Sequence, residues 1–405
     1  MPTLPADKND QVRRNNLSRI LRHLHATGPA SRSDLVGLTG LNRSTIGALV
    51  TELVDAGLLE ERPGTTSTVG RPSLVVAPVA TSAVVLSFEL RVEKLIGALI
   101  GLGGEVLQRL ERPHMRADYD VKIAVDEIVQ MSIKLLESVP EGSAWAGTGI
   151  SIPGSVDPAA GKVRLAPNLG WEDVALGESL MDAMTAQFGD PPMVTIRNDS
   201  DLGAMSEHLR GAAAGAANMI YISGEIGIGG GVVVNNRLLD GVGGYAGEVG
   251  HMVIDPAGPE CRCGSFGCWE TLIGLDSVIR STGNDPESSE LHEVLRQAAQ
   301  HQPQVLAGLS DVGRSIGIGI SNLVNIFNPE AVVLGGHLRE VLPYVEQSVS
   351  EMIARALPAS RADVRIVPAS IVIGSSLMGA AEAGFEQLLA DPIGVMDSSS
   401  VLIAS

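Results

Sequence analysis

Cysteine is scarce: the chain has three in 405 residues. No apolar run reaches the ~20 consecutive residues that a membrane-spanning helix needs. The opening stretch MPTLPADKNDQVRR lacks the apolar centre of a secretory signal. These absences argue against a disulfide-stapled secreted scaffold and against membrane insertion, so the expected compartment is the cytoplasm. Basic charge is short as well. With 29 Lys and Arg against 47 Asp and Glu the net charge is −18, which argues against a chain coated in nucleic acid. A hydrophobic share of 44% and a charged share of 19% describe a soluble globular protein, long enough for two or three domains.

The three cysteines, Cys261, Cys263 and Cys268, all lie in GEVGHMVIDPAGPECRCGSFGCWE, residues 247–270, and His251 precedes the first of them by ten positions. Three thiols and an imidazole are the ligand set of a closed, tetrahedral structural zinc site, one ion per chain. Gly264 and Gly267 let the backbone fold tightly between ligands, and Glu248 and Glu270 flank the segment. Three buried free thiols are the bland alternative, disfavoured by their clustering within eight residues. A disulfide would leave one thiol over.

Charge is uneven along the chain. Residues 1–50 carry seven basic side chains against three acidic ones, a net +4, which leaves −22 for the rest. A basic head on an acidic body points to a local DNA-binding module. Leu17, Ile20, Leu21 and Leu24 fall on one helical stripe that Gly28-Pro29 ends. Ser31 can cap a second helix with Asp34 in its first turn, and Thr39-Gly40 turns the chain. Asn42 can cap a third helix carrying Ile46, Leu49, Val50 and Leu53, which Gly57 ends. Two strand-like runs, 58–61 and 73–77, complete a winged helix-turn-helix. Arg43, Ser44 and Thr45, off the apolar stripe at the start of the third helix, are the candidates to reach bases or phosphates. Arg71, in the linker PGTTSTVGRP, could enter a minor groove or be an ordinary linker residue. A three-helix protein-interaction module is the other reading of the head.

The body reads as a duplicated α/β fold: strand-like runs at 81–90, 94–102 and 105–112, a helix at 119–138, a buried strand at 149–152, then a hairpin at 218–234 and further helices and strands. Asn198-Asp199 follows the strand 193–196, where an acid faces the ligand crevice of an α/β lobe. Asp199 there could act as a base or simply cap the next helix. The Gly-rich run 227–231 could cradle a phosphate or form a plain hairpin turn, and Gly335-Gly336 could approach a nucleotide or turn the chain.

Five blocks, GEVGH with CRCGSFGCWE at 247–270, SIPGSVD at 151–157, APNLGW at 166–171, RNDSDLGAMSE at 197–207 and NLVNIFNPEAVVLGG at 322–336, resemble the ROK family of repressors and sugar kinases, from about Val12 to Pro392. The resemblance implies an actin/hexokinase-like body of two lobes with a sugar between them, behind a winged head of the family's repressor type. Its domains would be 1–76 for head and linker, 77–195 and 196–392 for the lobes, and 393–405 for an irregular tail. It implies a His251, Cys261, Cys263, Cys268 zinc site. It also implies sugar contacts from Gly154, Asn168, Asn198, Asp199, Glu248, His251 and Glu270, with Asp199 at the kinases' catalytic base and His251 shared between zinc and sugar.

Two departures bear on activity. The family's kinases open the first lobe with Asp-x-Gly-x-Thr, where this chain has Ser87-Phe88-Glu89-Leu90-Arg91. Their second phosphate loop reads Gly-Thr-Gly, where this chain has Glu225-Ile226-Gly227. A carboxylate at a phosphate cradle repels a triphosphate. The expectation is a non-enzymatic, sugar-responsive repressor that binds operator DNA as a homodimer or dimer of dimers. An ATP-dependent sugar kinase with an added head, and a zinc-dependent regulator controlled by a protein partner, are the alternatives.

Overall fold

The computed structural model describes residues 8–63, 74–114 and 119–398. Arg71, with the linker from 64 onward, lies outside the described residues. The apolar stripe of the first helix is buried as spacing requires: Leu17, Ile20, Leu21 and Leu24 are all at most 1% exposed in α1 (Lys8–Thr27). Gly28, at φ 82°, turns the chain out of it. A short strand β1 (Ala30–Ser31) precedes α2 (Arg32–Thr39). Ser31 caps α2 in a reciprocal box: its Oγ accepts from the Asp34 amide and Asp34 Oδ2 accepts from the Ser31 amide. Asn42 Oδ1 accepts from the Thr45 amide at 2.9 Å and starts α3 (Arg43–Asp55), whose Ile46, Leu49, Val50 and Leu53 are buried. The wing is β2 (Leu59–Pro63) and β3 (Leu74–Pro78), and β1 adds a third strand on the free edge of β3.

Two compact units make up the chain: Met1–Arg197 with Ala380–Ser405, and Asn198–Gly379. In the first, β4 (Ala83–Leu90) is buried at all eight positions, so it reads as a continuous apolar run and takes the centre of a sheet. It pairs antiparallel with β5 (Lys94–Gly101), which pairs with β6 (Glu105–Pro113). After α4 (Val121–Leu136) the chain returns as β7 (Ala144–Ile152), parallel to β4. A small sheet of β8 (Ser155–Asp157), β9 (Lys162–Ala166) and β10 (Trp171–Val174) follows, then α5 (Leu176–Phe188) and β11 (Val194–Asn198), beside β7. The core lies between sheet and helices, with Leu86, Phe88, Ile128, Leu135, Ile150 and Leu180.

The second unit repeats that order. After α6 (Asp199–Leu209), β12 (Met219–Gly224), β13 (Ile228–Val234) and β14 (Arg237–Leu238) form an antiparallel meander. Helices α7 (Glu270–Ile273), α8 (Leu275–Ser281), α9 (Leu291–Ala299) and α10 (Pro303–Phe327) lead to β15 (Ala331–Gly336), parallel to β12. Then come α11 (His337–Ile353), α12 (Pro358–Arg361) and β16 (Arg365–Pro368), parallel to β15. Numbered by appearance within each unit, both sheets run 3-2-1-4-5. That shared order is the duplication expected from sequence. Among the described residues no helix is long and apolar enough to cross a membrane.

Two boundaries differ from the expected ones. The chain leaves the second unit at Gly379 instead of 392, inside α13 (Ser375–Ala390). The reason lies in β7: a Cβ at Gly149 would fall on the Ala380 carbonyl, and one at Gly147 on the Gly384 carbonyl, so the backbone of α13 lies directly on that strand. The expected irregular tail begins as a helix, α14 (Pro392–Ser398). In the second unit the start of α13 is gripped by Glu207 of α6. Its buried carboxylate accepts from the amides of Ala212, Ser370 and Ile371 at 2.7, 3.0 and 3.1 Å and from the Ser375 hydroxyl at 2.7 Å.

Gly149→Ala should lower stability by about 1–3 kcal/mol, because the methyl has no space. Gly37→Ala, on the exposed side of α2 with nothing within 4 Å, should raise it by roughly 0.5–1 kcal/mol. Urea midpoints at constant m-value compare them.

Candidate functional site

The 247–270 segment folds as a knuckle. Val253 bridges to Cys268 and Glu260 to Phe266 in antiparallel fashion. Gly264 and Gly267 take φ of 88° and 64°, and a Cβ at Gly267 would fall on the Asp255 carbonyl. These two glycines are therefore required by the turn itself. Trp269, fully buried, roots the knuckle by donating its Nε1–H to the Ser315 carbonyl at 2.8 Å.

The fold brings together the four expected metal ligands, His251, Cys261, Cys263 and Cys268. Their ligand atoms all lie within 4.8 Å of one another. Cys263 Sγ and Cys268 Sγ are 3.7 Å apart, and Cys261 Sγ is 3.7 Å from His251 Nδ1. Two sulfurs bound tetrahedrally at ~2.3 Å from one ion would be ~3.8 Å apart, so these spacings suit a closed metal site. Burial pushes the Cys261 and Cys268 thiols up, while the Ser265 backbone amide holds Cys263 down. Nδ1 of His251 faces the sulfurs, which leaves Nε2 on the far side of the ring.

Glu270 opens α7 beside this cluster. Its Oε1 accepts from Cys261 Sγ at 2.9 Å and lies 3.7 Å from His251 Nδ1. Glu248 stands exposed before the tight turn Val249–His251. Asn198 caps α6 by accepting from the amides of Ser200 and Asp201 at 2.8 and 3.1 Å. The cap is thus Asn198, and Asp199 is the first helical residue, its Oδ1 accepting from the Ser200 amide at 2.7 Å.

The run 227–231 is not the turn it resembles in sequence. Glu225 and Gly227 close the turn, whereas Gly229, Gly230 and Gly231 lie within β13. A Cβ at Gly229 or Gly231 would meet Ser200, and one at Gly230 would meet Val249 and the Gly247 carbonyl. Of the two expectations for this run, a phosphate cradle or a plain hairpin turn, the hairpin is present, and Gly229, Gly230 and Gly231 serve close packing within its second strand. The signal that could have found it is three successive glycines continued by three valines, which extends a strand through the glycines.

In the first unit, Gly154 takes φ 153° against Leu165 and Ala166, and Asn168 sits half-buried in the turn between β9 and β10. The Ser87–Leu90 stretch is buried strand and not a turn. Arg91 follows it and pairs with Glu89 at 3.0 Å.

Most of the described arginines of the head are engaged, some by acids of the head and some by acids beyond it. Arg13 pairs with Glu52, Arg32 with Glu61, Arg22 with Glu386 and Arg14 with Asp10 and Asp391, while Arg19 donates to the Leu38 carbonyl. Ser44 and Thr45 hydroxyls donate to Asn42 Oδ1 at 2.6 and 3.0 Å. Exposed Arg43 has no hydrogen bond or ion pair among the described residues. Of the three candidates on α3, Arg43 is the one whose donors are not engaged within the head.

Known proteins divide along the same line. The ROK family profile matches residues 85–383. The xylose repressor of Bacillus spizizenii is 30% identical over 380 residues, covering 93% of this chain and 97% of that one. A crystal structure of a ROK family transcriptional regulator, homolog of the E. coli MLC protein, superposes with a TM-score of 0.77 at 27% identity, over 96% of this chain and 100% of the other. The ROK hexokinase from Thermus thermophilus superposes with a TM-score of 0.62 at 25% identity, over 75% of this chain but 99% of its own.

The wild-type chain, dialysed without chelator, should hold about one divalent ion per chain by elemental analysis. Cys263→Ser should lose most of it and lower the melting temperature. Full retention in that variant would show that the four residues are not the ligand set.

Proposed function

The chain belongs to the ROK family, and on that premise we propose that it is a sugar-responsive transcriptional repressor that binds operator DNA through its winged head. The observation that carries this reading is a head of three helices and a wing joined to a body that offers polar side chains suited to a sugar. Arg43 stands unengaged at the exposed start of α3, where a recognition helix meets the major groove. Asn198 and Asp199 at the start of α6, and Glu248, His251 and Glu270 around the knuckle, offer carboxylates and amides of the kind that pair with vicinal hydroxyls. Gly154 and Asn168 are the contributors proposed from the first unit. The work is cytoplasmic, where the operator is.

We assign the metal as zinc, from the three-thiolate, one-imidazole donor set. When bound it supplies a fixed cross-link and no redox chemistry. His251, held through Nδ1, presents Nε2 in one tautomer to a sugar hydroxyl. A Cys261 engaged as thiolate has no proton to give Glu270, whose carboxylate then takes a donor from the effector.

Phosphoryl transfer is opposed by the two turns that would have to grip a triphosphate. Glu89, paired with Arg91, is buried near the end of β4 where the first would lie, and Glu225 opens the second. The fold shared with a hexokinase favours the kinase reading, which requires ATP-dependent sugar phosphorylation abolished by Asp199→Asn. As a homodimer, the protein would place two recognition helices about 34–36 Å apart. The sugar lowers operator affinity by binding more tightly to the arrangement in which that spacing is lost.

In a thermal-shift screen of monosaccharides and their phosphates, one effector, with D-xylose the first probe, should stabilise the protein by about 2.7 kcal/mol at a hundred times its Kd. The same compound should release operator DNA, and ATP should change neither result. No response to any sugar would refute the effector assignment, and sugar-phosphate formation would return the protein to the kinases. Arg43→Ala should weaken operator binding by about 1–3 kcal/mol without altering effector affinity. Unchanged DNA affinity would remove Arg43 from the interface.

A further inference from the structure

Helix α1 of the head lies against α13, and a buried polar group sits in that interface. His25, 1% exposed, is in the last turn of α1, and Glu382, 3% exposed, is in the middle of α13. The Gly103 amide donates to His25 Nδ1 at 2.9 Å. A ring nitrogen that receives an N–H carries no proton itself, so the proton is on Nε2, which donates to Glu382 Oε2 at 3.1 Å. One neutral imidazole therefore joins the head, the turn after β5 and the returning helix. Phe385 packs on the ring, centroids 4.8 Å apart.

The rest of the interface keeps the same register. Arg14, Ser18, Arg22 and His25 form one stripe of α1, and they meet Asp391, Leu389, Glu386 and Glu382 in reverse order. Leu389, Glu386 and Glu382 lie on α13 and Asp391 just past its end, so α1 and α13 run antiparallel with the buried contact at one end. The first turn of α13, at its other end, carries Ser375, whose hydroxyl donates to Glu207 of α6. Helix α6 is also the helix that opens with Asn198 and Asp199.

We propose that His25 is a positioning residue that locks the DNA-binding head to α13, so that the head is carried by the body instead of hanging from a tether. Effector control then reaches the head along α13, the helix by which the chain returns from the second unit. The lock rests on the geometry above; the control it transmits rests on the regulator reading.

Hydrogen exchange on the full-length protein tests the lock without DNA or sugar. In His25→Ala, exchange in peptides covering 18–27, 98–104 and 382–390 should rise by about tenfold or more, while 219–224 in the second unit keeps its wild-type rate. His25→Gln, which can accept from Gly103 and donate to Glu382, should restore most of the protection. Glu382→Leu, which keeps the bulk but removes the acceptor, should loosen the same three peptides if His25→Ala fails to fold. Unchanged exchange at 98–104 and 382–390, or equal exchange in the Ala and Gln variants at position 25, overturns the lock.

The control arm uses a DNA fragment selected by the wild-type protein from a random library, with D-xylose and the other screened sugars as probes. Wild-type protein should lose DNA affinity by about 5–150-fold on binding the active sugar. His25→Ala should bind that sugar as tightly, by calorimetry, yet lose most of the DNA response. An undiminished response overturns the role of α13. If the wild type answers to no sugar, the regulator reading fails and the control role falls with it, while the exchange result still decides the lock.

Discussion

Backbone can lie against backbone only where side chains are missing, and β13 meets that condition at three successive residues. Alternate residues of a strand face opposite ways. Gly229 and Gly231 both face Ser200 of α6, and Gly230, between them, faces Gly247 and Val249. The start of α6 and the lead into the knuckle are thereby brought onto opposite faces of one strand. Asn198 and Asp199 depend on the first contact. Glu248 and His251 depend on the second, and the three cysteines follow through the same loop. A side chain at any of the three glycines would displace one group of polar candidates relative to the other, with no change to the candidates themselves.

This constraint explains an uneven legibility. Caps and apolar stripes are local, so Ser31, Asn42 and the buried leucines of α1 could be read directly from spacing. The cluster of one histidine and three cysteines was legible for the same reason: side chains held by one short loop announce themselves by proximity in sequence. The glycine run was not, because a glycine needed for a turn and a glycine needed for close packing look alike until the partner is known. The return of the chain into the first unit was hidden in the same way. Gly384 of α13 takes part in it, but the partners that make sense of that glycine, Gly147 and Gly149, lie more than 200 residues earlier.

Charge was the least reliable guide. A net +4 over residues 1–50 points to a basic surface, yet most of that charge is paired with acids of the head itself, with Glu386 of α13 or with Asp391 just after it. A count of charges has no knowledge of partners, and short-range pairing removes a guanidinium from the field that a phosphate would sense. The case for DNA therefore moves from the sum of the head's charges to the place of one of them, Arg43, at the end of the helix where a base edge would be read.

The interface between α1 and α13 shows how little ion pairs need contribute to stability while still deciding position. Arg14–Asp391 and Arg22–Glu386 are well exposed, with side chains between 40% and 62% accessible, and pairs of that kind contribute about 0–1 kcal/mol each. They tolerate a slip of the helices, because long side chains in water can re-form the pair. His25 and Glu382 cannot. Both are buried, and a shift of either helix by one residue would take a carboxylate and an imidazole out of contact in a place that water does not reach. The cost of the wrong register is therefore concentrated at one point, which is how a buried polar pair specifies an arrangement even when it adds little net stability. A regulator whose DNA-binding head must be held in one position needs that kind of specification more than it needs extra stability, and the head has it where α1 meets the helix returning from the second unit.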